Sequence, residues 1–145
     1  ELLKKYAAEK GVQVEEATVS NVNDIQQAAQ SLVGKVDAVY VPTDNVLASA
    51  MPTLAQVTEP AKRAVVCGEG GMVMAGGVAT LAIDYYQLGE QTGEMAGDIL
   101  SGKTKPQTMP IQLQKSFKVI INKENAEKIG IKIPEDLLKA AESSK

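Results

Sequence analysis

Asp44, Glu69 and Asp84 are the residues of this chain with the clearest potential for chemistry. Each follows a short apolar run. AVYV leads through Pro42 into Thr43-Asp44-Asn45, AVVCG into Glu69-Gly70-Gly71, and ATLAI into Asp84-Tyr85-Tyr86. If the runs are parallel strands of an open α/β sheet, their carboxyl ends share one edge. Ligands bind at that edge in such sheets. Three carboxylates side by side are costly unless something compensates them. Arg63 and Lys62 lie at the opposite end of their strand, so the row is expected to lack a local cation. A ligand ammonium would supply one, through charge-assisted hydrogen bonds. Free N–H groups at the start of the helix after Thr43 would receive a ligand carboxylate. Together these features describe an amino-acid-like zwitterion.

Each residue also has a plainer reading. Thr43-Asp44-Asn45 and Asp84 suit helix caps. Glu69 suits an exposed loop carboxylate among glycines. Tyr85 and Tyr86 could stack on or rim a ligand, although in such a pair one ring commonly packs inside and the other lies at the surface. Cys67 reads as an inert buried thiol. Met72 and Met74 read as gap-fillers. The GEGG segment lacks both the GK[ST] ending and the GxGxxG spacing of phosphate loops. The chain contains no histidine. Ser-His-Asp and Cys-His catalysis and histidine metal sites are therefore excluded. No catalytic residue, metal ligand or cofactor is expected. A net charge of −3 offers no basis for a nucleic-acid surface.

The elements that must position these residues follow from periodicity. At 145 residues, 44% of them hydrophobic, the chain can build one real core. Leu2, Leu3, Tyr6 and Ala7 share a helical face, and Gly11 ends that helix. VQVEEATV reads as a peripheral strand. Asn21 and Asp24 start a helix that buries Val22, Ile25, Ala28, Ala29 and Leu32. Val36 to Val41 is a strand. The next helix contains Pro52, which should kink or divide it. Ala64 to Cys67 and Val78 to Ile83 are strands, with a glycine-punctuated connection between them. Tyr85 to Leu100 is a helix in which Gly89, Gly93 and Gly97 recur every four residues. MPIQL and KVIIN are short strands. Asn122 and Pro134 begin the last two helices. This alternation predicts an α/β fold with a three-layer, largely parallel sheet. The first element is a helix, so the sheet is read as lacking a preceding strand.

VDAVYVPTDN and VVCGEGGMVMAGGVATLAIDYYQLGEQTGEMAGDILSGKTKP resemble ABC-transporter substrate-binding proteins of the type I periplasmic-binding-protein fold, and within them the group linked to tryptophan or tyrosine uptake. The resemblance runs from about Glu1 to Leu138. One segment departs from it: GEGG places Gly70 where an acidic residue is expected. The resemblance implies a two-lobed protein that closes on its ligand. Residues 1–84 would be the second lobe, without its first strand. Residues 85–109 would carry a hinge-crossing helix belonging to an absent first lobe, and 110–145 the returning strands and C-terminal helices. It selects Thr43, Glu69 and Asp84, the positions that the strand ends select. The implied ligand-binding set is Thr43, Asp44, Asn45, Glu69, Gly70, Asp84 and Tyr85.

The implied function is an extracytoplasmic solute receptor, periplasmic or a surface lipoprotein, that serves an ABC permease and binds a small amino-acid-like ligand such as tryptophan. No enzyme activity and no nucleic-acid partner are expected. In isolation, the 85–102 helix is expected to be displaced or to self-associate with another copy. The alternative reading is the effector domain of a LacI-like transcription regulator, which shares this fold.

Overall fold

The computed structural model describes residues 2–143. Helix α1 (Leu2–Glu9) opens the chain and buries none of its residues. A 3₁₀ turn (Val22–Asp24) then leads into α2 (Ile25–Val33). The turn is held by Asn21, whose side chain accepts from Asn23 N at 2.9 Å. α2 buries Ile25 and Ala29, while Val22 stays exposed. Strand β1 (Ala38–Val41) follows, then α3 (Asn45–Ser49) and α4 (Met51–Thr58). The expected division by Pro52 occurs at Ala50. Pro52 sits in the first turn of α4, where its missing N–H costs nothing. The remaining elements are β2 (Ala64–Cys67), α5 (Gly70–Met74), β3 (Ala79–Ile83), α6 (Tyr85–Leu100), β4 (Phe117–Ile121), α7 (Lys123–Ile129) and α8 (Glu135–Ser143).

The sheet order is β1-β2-β3-β4. β1 and β2 are parallel, with Val41 beside Cys67. β2 and β3 are parallel, with Val66 beside Ala79. β4 returns antiparallel to β3 and sets Phe117 against Ile83 and Lys118 against Ala82. Alternating residues send side chains to opposite faces. Val65 and Cys67 enter a core with Ile25, Met51, Leu54 and Met72 from α2, α4 and α5. Ala64 and Ala79 face a smaller core with Ala126 and Ile129 of α7. These make three layers. Met51 is 0% exposed and anchors the first core. On the second face Tyr40, Val66, Leu81 and Phe117 remain exposed.

The structure departs from two strand expectations. Residues 12–19 (VQVEEATV) form no strand, and neither do residues 109–113 (MPIQL). An extended segment becomes a strand only by pairing, and among the described residues β1 is the sheet's edge, with no ladder beyond it. Met74 is exposed, so only Met72 fills the core. α6 also stands apart. It buries none of its 16 residues. A Cβ at Gly89, Gly93 or Gly97 would meet nothing within 4 Å. Its longest-range side-chain hydrogen bonds run from Gln91 Nε2 to Gln112 Oε1 at 3.0 Å and to Leu113 O at 3.2 Å.

Candidate functional site

The parallel register sets the carboxyl ends of β1, β2 and β3 along one edge, so Thr43-Asp44, Glu69 and Asp84 form a row there. The first two strand ends are in close contact. Gly68 N donates to Val41 O at 2.8 Å. A Cβ built on Gly68 would lie 2.5 Å from Thr43 N. Only glycine permits that approach.

All three carboxylates cap helices. Asp44 Oδ1 accepts from Val46 N at 2.8 Å and Leu47 N at 3.0 Å. Glu69 accepts from Gly71 N at 2.7 Å and Met72 N at 2.6 Å. Asp84 Oδ1 accepts from Tyr86 N at 3.1 Å and Gln87 N at 3.3 Å. Two expectations change as a result. Two of the N–H groups after Thr43, those of Val46 and Leu47, are not free for a ligand carboxylate, because they bond Asp44. The row also has a cation: Lys118 Nζ stands 3.0 Å from Asp84 Oδ2. Lys118 comes from β4, whose antiparallel return places the start of that strand where β3 ends. The sequence signal was present, since a lysine opens KVIIN, but the register was needed to read it. Arg63 lies at the far end as expected, and its Nε donates to Val33 O at 3.1 Å.

Lys118 holds the Asp84 carboxyl below the ordinary carboxylate value. Partial burial opposes this shift, and the Gln87 and Tyr86 N–H groups add to it. A carboxylate with a depressed folded-state pKa stabilises above its unfolded value, roughly 3.9. That contribution is lost as pH falls through the folded value. Asp84→Asn is therefore expected to destabilise the protein at neutral pH. Its deficit against the unaltered protein should shrink to nothing as the acid limb is crossed. Urea denaturation at a series of pH values measures it. A deficit that does not vary with pH would assign the loss to packing instead.

The remaining predicted residues lie as follows. Thr43, Asp44 and Asn45 are exposed, and Gly70 is half-buried at the start of α5. Tyr85 and Tyr86 are 59% and 74% exposed, so neither ring packs inside. Cys67 is buried, and desolvation together with the charge of Glu69 pushes its thiol up to about 11. Among the described residues no group of three Cys, Asp or Glu could hold a metal ion, and no helix is long and apolar enough to cross a membrane. None of Thr43, Asp44, Glu69 and Asp84 lines either of two surface recesses. One is lined by α6 and residues 114–116, and the other by the 3₁₀ turn, α2, α3 and α4. The row is an open edge.

A family model for ABC transporter substrate binding proteins matches residues 1–145. The chain belongs to this family. It is 34% identical over 142 residues to a tyrosine-binding protein of Clostridioides difficile, covering 97% of this chain and 41% of that protein. It superposes with a TM-score of 0.85 on a conserved domain protein of Vibrio cholerae, at 38% identity, covering 97% of this chain and 47% of the other. It superposes equally, at 37% identity and the same coverage, on an ABC domain from Streptococcus pneumoniae in complex with L-Trp. The chain thus spans less than half the length of the relatives it matches.

Proposed function

We propose that this chain is one lobe of an amino-acid-binding protein that delivers its ligand to an ABC importer. The observation that carries the reading is the row of Thr43-Asp44, Glu69 and Asp84 along one edge of the parallel strands. Similarity to a tyrosine-binding protein and to a domain in complex with L-Trp supports an aromatic amino acid as the ligand. Each capping carboxylate retains acceptor capacity on at least one oxygen. Glu69 and Asp84 receive the ligand ammonium. Thr43, Asp44 and Asn45 bond its polar groups, and Gly70 and Tyr85 border it.

An open row of this kind needs a second wall. Residues 1–84 form the second lobe, a first lobe closes over the ligand, and α6 packs on that first lobe. Residues 110–145 return to the second lobe. The protein works outside the cytoplasm, and a membrane permease recognises its closed form. No covalent chemistry is involved. The family match leaves the transcription-regulator reading without an observation in its favour.

Calorimetry of the full-length protein against the twenty amino acids tests the reading. Heat is expected with tryptophan or tyrosine. Heat only with a sugar or a nucleobase would discard the amino-acid assignment.

A further inference from the structure

We propose that Lys118 is a ligand-binding residue that receives the carboxylate of the amino acid, beside the Asp84 carboxylate that receives its ammonium. This rests on the amino-acid reading above and names the group that reads the second half of the zwitterion.

A carboxylate needs N–H or O–H groups, and helix starts are the usual source. Here two N–H groups of each helix start are already bonded by a carboxylate of the chain itself. Val46 N and Leu47 N bond Asp44. Gly71 N and Met72 N bond Glu69. Tyr86 N and Gln87 N bond Asp84. Each of the three helix starts facing the row thus already carries a carboxylate of the chain itself. A second anion there would meet negative charge instead of a positive dipole.

Lys118 supplies a positive charge that the carboxylate-capped helix starts lack. Its ammonium carries three donors. One is spent on Asp84 Oδ2 at 3.0 Å. Among the described residues its side chain makes no other ion pair, and it is 41% exposed, against 11% for Asp84. Two donors therefore remain open to a ligand. The bridge to Asp84 also limits where the flexible lysine stem can place its charge. The antiparallel register fixes the rest, since Lys118 stands opposite Ala82, two residues before Asp84.

The charge pattern fits one ligand class. An α-amino acid carries its ammonium and carboxylate on a single carbon. Asp84 and Lys118 present the opposite charges side by side at hydrogen-bonding distance. Laid against each other, the two pairs alternate in sign around a square, and every neighbour is attractive. A ligand ammonium without a carboxylate would meet Lys118 as a like charge. The pair therefore selects zwitterions over simple amines.

The test is a cycle of protein and ligand variants in the full-length protein, read by calorimetry with L-tryptophan and L-tryptophanamide, which keeps the ammonium and replaces the carboxylate. The unaltered protein should bind the acid about 10- to 100-fold more tightly, as expected for a hydrogen bond to a charged group. Lys118→Met should weaken the acid by that factor and leave the amide unchanged or slightly tighter, so the discrimination collapses. Lys118→Arg should keep most of it. Retained amide binding shows that the methionine variant is folded. The proposal is overturned if Lys118→Met keeps full discrimination. It is also overturned if that variant loses both ligands equally, which would make Lys118 a positioning residue for Asp84. Failure of every amino acid to bind the unaltered protein would discard the function itself, a separate result.

Discussion

Gly68→Ala is expected to cost about 3 kcal/mol of stability and to remove ligand binding with it. A Cβ at this position would lie 2.5 Å from Thr43 N, 2.6 Å from Thr43 Oγ1 and 3.0 Å from the carbonyl carbon of Pro42. Two of these are backbone atoms, so no side-chain rotation relieves the overlap. Moving apart is blocked as well, because Gly68 N donates to Val41 O at 2.8 Å and extends the β1–β2 ladder to its end. The chain must break that bond or displace Thr43 and Asp44. Either choice spreads the strand ends that form the site. The melting temperature should fall by roughly 10 °C, and affinity should fall further than the stability loss alone would cause. An unchanged melting temperature would mean that the Thr43 loop yields freely and that the close approach constrains nothing.

Replacing Gly89, Gly93 and Gly97 together with alanine should have opposite effects in two settings. In the 145-residue chain a Cβ at any of the three meets open space. Alanine should therefore strengthen α6 by about 1 kcal/mol per site, read as increased helicity. In the full-length protein the same stripe lies, by our proposal, against the first lobe. Three added methyl groups would then overpack a close interface at roughly 1–3 kcal/mol each, and denaturation should show net loss. The reversal of sign is the diagnostic feature, since helix propensity alone predicts gain in both. Stabilisation of the full-length protein would discard the docking of α6.

Much of the fold is legible in the chain because its signals are local. Asp44, Glu69, Asp84 and Asn122 each bond N–H groups two or three residues ahead, so their capping role is written within one turn. The break that Pro52 imposes appears at Ala50, and Gly130 closes α7 in the left-handed conformation at φ 77°. These depend on a residue and its neighbours. VQVEEATV has a strand's composition yet forms none, because a strand needs a partner and composition does not specify one. Tyr85 and Tyr86 look like a core-and-surface pair, but both lie outside, on a helix that fully buries none of its residues.

The candidate site divides along the same line. The sequence by itself determined which polar residues end the apolar runs, and therefore that Asp44, Glu69 and Asp84 stand at strand ends. It could not determine their electrostatic state. That depends, beyond the local caps, on which cation arrives across the sheet. Lys118 reaches Asp84 only because β4 runs antiparallel to β3 in one register, and a shift by one residue would turn its side chain to the other face. Pairing between distant segments is a property of the folded chain. Tertiary structure alone therefore joined one of three locally capped carboxylates to a lysine.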